Sequence, residues 1–166
     1  MSTKSDYSAE EWEMLLEVPP LVGTAVMVAG RSGVVGSMKE SFAVASGVME
    51  ARDGFESNEL IQSLISARVE DKERSAVEQV SGNPYIGKPP EEIRDILVAK
   101  CKDVSNVLAE KASSETEANE FKQWAVDVGE KVANAAKEGG FLGIGGERVS
   151  EVETVVIASV REALNI

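Results

Sequence analysis

Apolar residues recur every three or four positions along most of this chain, the period of helices that bury one face. The first such run, "AEEWEMLLEV" at 9–18, opens at Ser8 with Glu11 three residues on, a pairing in which each side chain binds the other's backbone amide. Trp12, Leu15 and Leu16 share its apolar side. Pro19-Pro20 is expected to end it, because proline biases the residue before it away from helix. Pro20 can then sit in the first turn of a second segment, "LVGTAVMVAG", where no amide donor is lost. That segment has no charge and no polar face, the pattern of a helix surrounded by others or of a membrane element. From Leu21 to Gly30 it falls well short of the roughly 20 residues a span needs, so a buried core helix is the expectation. Gly23, Ala25 and Ala29 would admit another helix close to its backbone, from inside the chain or from a second copy.

After the break "GRSGVVG", Ser37 and Glu40 form a second capping pair that opens "SMKESFAVASGVMEAR", with Met38, Phe42, Ala45 and Met49 at helical spacing. Asp53-Gly54 reads as a turn and Ser57 as the cap of "NELIQSLISARVEDKERSAVEQV". The first half of that helix is apolar at Leu60, Ile61, Leu64 and Ile65. Its charged second half keeps only Val69, Ala76 and Val80, and is expected to project or to pack along an edge. The loop "SGNPYIGKPP" leads to Pro90, which opens a helix with Glu91 and Glu92 in the dipole-favoured first turn. Its apolar face runs through Ile93, Ile96, Leu97, Cys101, Val104 and Leu108. A polar break at Ser113-Ser114 precedes a stripe of Phe121, Trp124, Ala125, Val128, Val132 and Ala135, stopped at Gly139-Gly140. In the tail, "TVVIASV" alone would suit a strand, but the Ser150–Glu153 capping pair and the following "REAL" favour a helix.

These segments predict an all-α, single-domain bundle of about six or seven helices over residues 1–166, with a buried apolar second helix. No linker is long enough to divide it.

Charge then narrows the partners. The net charge is −12, and Lys and Arg are scattered among Glu and Asp, so nucleic acid and anionic membranes are not expected as partners. The chain has no histidine, which removes the commonest general base and metal ligand, and with them zinc sites and Ser-His triads. Any enzyme would have to work through carboxylates, Lys, Tyr or the single Cys101. That cysteine cannot form an internal disulfide, and the N-terminal stretch lacks the basic-then-apolar order of a signal peptide; a cytoplasmic location is the expectation.

Two turns invite chemistry. "KEGGFLGIGGERVSEVE" places five glycines ahead of the last helix, yet it matches neither the P-loop nor the dinucleotide pattern, and Glu147, Glu151 and Glu153 crowd the helix start against an anion. Phe141, Leu142 and Ile144 instead suggest a loop pinned against the bundle or a neighbour, with Phe141 and Leu142 largely buried. In "ARDGFESNEL", Asp53, Glu56 and Glu59 lie close together at a turn into a helix, where a hard cation such as calcium or magnesium could be held; the EF-hand spacing is absent, and acids also collect at helix starts to serve the dipole.

"RDGFESNEL" and "GGERVSEVE" resemble the helix starts of the tellurite-resistance TerB-like helical proteins. The resemblance implies a small all-α domain with acidic turn residues proposed to bind metal. The closing "GGFLG" loop and capped helix also resemble those of small bacterial and archaeal helical proteins, which implies no activity. Cys101 reads as a buried thiol on an apolar face and Trp12 and Trp124 as core or interface anchors; Tyr85 and Lys88 are loop residues open to a functional role, with Tyr85 and Ile86 expected to tuck over the bundle end. The expected role is a non-catalytic, self-associating helical interaction protein. Its interface candidates are Gly23, Ala25, Ala29, Phe141 and Leu142, and its partner is a second copy or another protein. The alternative is a TerB-like, cation-responsive stress module at Asp53, Glu56 and Glu59. No other cofactor is expected.

Overall fold

A computed structural model describes residues 2–30, 34–70, 85, 88–137 and 150–166, except for the side chains of 34–40, 70, 136 and 137. Among these residues there are six α-helices and no strand. They are α1 (Ala9–Ala29), α2 (Val34–Gly54), α3 (Glu59–Glu70), α4 (Pro90–Lys111), α5 (Glu115–Lys137) and α6 (Glu151–Leu164), with a short 3-10 turn at Lys4–Asp6 before them. The all-α bundle expected from the apolar periodicity is what forms. α1 and α5 pack along one another at the centre; α2 and α3 lie against that pair on one side, α4 and α6 on the other.

The separate second helix does not exist. Pro19 and Pro20 lie inside one helix of 21 residues, and "LVGTAVMVA" is its C-terminal half. Two prolines remove the amides that would reach the carbonyls of Leu15 and Leu16, a substitution that costs about 3 kcal/mol in an isolated helix. The fold compensates in two ways. Residues 21–26 are all buried among α2, α4, α5 and α6, which explains why this half is apolar all round. The guanidinium of Arg68, reaching over from α3, donates through Nη2 to the Leu16 carbonyl in place of the missing Pro20 amide. Thr24 Oγ1 adds a bond to the Pro20 carbonyl at 2.9 Å. With the prolines inside, the apolar stretch is no longer too short to span a bilayer. α1 is long and apolar enough to cross a membrane, with a mean hydropathy of 1.3, and 61% of that apolar window is buried inside the fold.

Caps set the other boundaries. At Ser8, Glu11 N–H reaches Ser8 Oγ at 3.2 Å and Ser8 N–H reaches Glu11 Oε2 at 2.6 Å. At Ser150 the reciprocal pair with Glu153 measures 3.3 and 2.7 Å. Both capping pairs expected there form. α2 instead starts at Val34, so Ser37 is not its cap. It also runs on through Gly54, past the turn expected at Asp53-Gly54. The cap of α3 is Asn58, not Ser57: Asn58 Oδ1 accepts from Ile61 N–H at 3.0 Å, while its amide donates to the Glu117 carbonyl and to Glu120 Oε2. Asn58 wins because it is buried against α5, where its second set of hydrogen bonds is available.

A candidate interaction surface

α2 is apolar on two faces, and packing selects between them by size. Ala43, Gly47 and Ala51 stand four residues apart and bring its backbone close to α5: a Cβ added at Gly47 would lie 3.3 Å from Lys131 Cδ and 3.4 Å from Val128 Cα. Ala43, Val48 and Ala51 are buried there. The stripe of Phe42, Ala45 and Met49 consequently faces solvent. Phe42 is 77% exposed and Met49 40%, and Ala45 between them is exposed as well. The Met38 side chain lies outside the described residues. Helical spacing marks this stripe as apolar without placing it inside or outside, and its bulk cannot fit where small residues let two helix backbones approach. The spacing Ala43-x-x-x-Gly47-x-x-x-Ala51 is the signal in the sequence that distinguishes the faces.

Gly23, Ala25 and Ala29 are buried within the chain, so the close approach they allow is made by the molecule's own helices rather than at a surface. A Cβ on Gly23 would lie 2.8 Å from Val44 Cγ2 on α2 and 3.1 Å from Val128 Cγ1 on α5. Phe141 and Leu142, and the whole segment 138–149, lie outside the described residues, as does the charged segment 71–84.

The electrostatic setting of the α2 stripe differs from that of the groove between α1 and α4. Glu50 is bound by Lys131, and at the C-terminal end of α2 Arg52 balances Asp53 in number, so the local net charge is near zero. Across the molecule, a groove of about 420 Å³ between α1 and α4 is lined by Glu10, Glu13, Glu17 and Asp103, with Lys100 the one cation among its lining residues. Lys100 is held by Glu17 at 2.6 Å, and Glu17 also accepts from the Tyr85 hydroxyl. Burial, then the bond to Glu17, pushes the Tyr85 phenol above its ordinary range. Lys88, read beside it as a loop residue, forms an ion pair with Glu92 in the first turns of α4. A smaller apolar patch on α6, Val152 and Val155, lies beside Glu151 on a helix whose acids outnumber its single Arg161.

Asp53 and Glu56 are exposed and Glu59 is half-buried. Among the described residues no group of three or more His, Cys, Asp or Glu is gathered so as to hold a metal ion. Cys101 is fully buried on α4, and burial pushes its thiol up to about 12, far from a thiolate nucleophile at neutral pH.

One polar cluster escaped the reading of the chain. Glu117, buried in the first turn of α5, accepts from Ser2 N–H at 3.1 Å, Ser2 Oγ at 2.5 Å and Ser113 N–H at 2.7 Å, and Tyr7 donates to Ser2 Oγ at 3.1 Å. It pins the N-terminal segment across the α4–α5 turn. The signal was present as Ser114-x-x-Glu117, a fourth capping pattern, of which the half from Glu117 N–H to Ser114 Oγ forms at 3.1 Å. No protein-family model, curated protein or solved structure matches this chain.

Proposed function

We propose that this chain is a non-catalytic helical interaction protein that associates with copies of itself. The observation that carries the reading is the outward stripe of α2. Burying a phenylalanine is worth about 1.5–3 kcal/mol, and Phe42 leaves most of that ungained in a single copy. Its alignment with Ala45 and Met49 makes one continuous apolar surface rather than scattered exposed residues. The chemistry of the chain supports the same reading: there is no histidine, and the one thiol is buried. Size-exclusion chromatography with light scattering tests it, with a mass that rises from one chain toward two over micromolar to millimolar concentration as the expected result. A strict monomer throughout that range would end the proposal. The resemblance to TerB-like proteins keeps a cation-responsive role at Asp53, Glu56 and Glu59 as the alternative; calorimetric titration with calcium and magnesium decides it, and no heat would remove it.

A further inference from the structure

We propose that α2 forms a two-fold interface in which the α2 helices of two copies pack antiparallel, Phe42 of each lying over Ala45 of the other. The inference rests on the self-association reading above and specifies its surface and register. The occupant follows from three features of the helix. The first is charge. In a molecule of net charge −12, two copies meet with least repulsion where the local charges cancel, and α2 with Lys131 is such a place. The acidic α1–α4 groove and the α6 valine patch beside Glu151 are not.

The second is shape. Phe42, Ala45 and Met49 are spaced three and four residues apart, the 3.5-residue period of helices that cross at about 20° and keep one seam together. A large residue beside a small one on that seam is self-complementary under a two-fold axis, because each Phe42 finds the other copy's Ala45 and the contact is made twice. The third is orientation. In this antiparallel register Asp53, at the C-terminal end of α2, lies beside the first turn at Val34 of the second copy, where the helix dipole favours an acid. A parallel pair would set Phe42 on Phe42 and Asp53 on Asp53. One helix face is a small interface, below the roughly 1,200 Å² of standard complexes, so the expected affinity is micromolar.

Sedimentation equilibrium of the full chain and three variants tests this, with thermal melts to check the fold. Phe42→Glu should raise the dimer dissociation constant at least 30-fold. Met49→Glu, at a second position of the stripe, should do so as well and serves if the first variant fails to fold. Ala45→Phe separates a fitted interface from mere stickiness. It enlarges the apolar stripe, so non-specific adhesion would strengthen, whereas the proposed register would weaken at least 10-fold because the pocket for Phe42 is filled. A dimer that survives both glutamate substitutions overturns the α2 interface and leaves self-association standing. A dimer tightened by Ala45→Phe overturns the register. A wild-type chain that stays monomeric at about 1 mM overturns this inference and the self-association reading together.

Discussion

α2 and α5 are neighbours of nearly equal length, 21 and 23 residues, and each carries an apolar stripe at helical spacing. In α5 the stripe is the core: Phe121, Trp124, Ala125, Val128 and Val132 are buried, with Phe121 edge-on to Trp124 at 5.6 Å. In α2 the stripe is the surface. The difference lies in what occupies the opposite face. Across α5 from its stripe stand charged and polar residues such as Lys122, Gln123 and Glu130, so only one face can be buried without desolvating charge. Across α2 stand Ala43, Gly47 and Ala51, which can be buried just as well, and which permit a closer approach than Phe42 could. A helix with two apolar faces has no unique inward side until packing density chooses one.

The largest test of this comparison sets two phenylalanines against each other. Phe121→Ala should cost about 4 kcal/mol in urea unfolding, as for large cavities in cores. Phe42→Ala, measured in protein dilute enough to be monomeric, should change stability by no more than about 0.5 kcal/mol. Comparable costs would mean that the α2 stripe is internal to the fold. Next in size, Gly47→Leu should cost about 3 kcal/mol, since a Cβ alone would already touch Val128 Cα at 3.4 Å and Lys131 Cδ at 3.3 Å, leaving no room for the rest of the side chain. Ala45→Leu, two residues away and on the outer face, should be nearly neutral in the same dilute conditions.

These contrasts also show how far the chain could be read. The buried face of α4 was legible at Ile93, Leu97, Cys101, Val104 and Leu108, because charged residues crowd the opposite side; Ile96, read with that face, is only half-buried. The caps at Ser8 and Ser150 were legible because they are local, each closing within three residues. What failed depended on distant partners. Asn58 takes the cap from Ser57 through hydrogen bonds to residues some sixty positions away. The helix passes through Pro19 and Pro20 with a donor supplied by Arg68, 52 residues from the Leu16 carbonyl that it binds. The outward direction of the α2 stripe was not legible, because periodicity reports that a face is apolar, not which of two such faces is dense enough to pack.

Glu117 extends the comparison to the polar end of α5. Glu117→Gln should cost about 2 kcal/mol at neutral pH, the range for hydrogen bonds to a charged acceptor. Burial pushes this carboxyl up, but the bonds from Ser2 and Ser113 outweigh burial and hold it below its ordinary value near 4.5. Its folded value is thus the lower one. The stabilisation is complete above about pH 4.5 and is lost as pH falls through the folded value. Stability curves of the wild type and Glu117→Gln should therefore converge below pH 4.5. Curves that stay parallel would show that Glu117 acts by packing and not by charge.

The smallest expected effect concerns α1, the helix on which α2 and α5 both lie. Arg68→Met keeps much of the side-chain stem and removes the donor to the Leu16 carbonyl, which should cost about 1–2 kcal/mol. Burial already pulls this guanidinium below its usual range, with the charge of Glu13 opposing, so part of the loss is offset by relief of desolvation. The decisive measurement is a double-mutant cycle with Pro20→Ala, which restores a backbone amide able to reach Leu16. If Arg68 stands in for that amide, Arg68→Met should cost less in the Pro20→Ala background, with a coupling of about 0.5–1 kcal/mol. Additive effects would mean that the proline break is tolerated through burial of residues 21–26 alone.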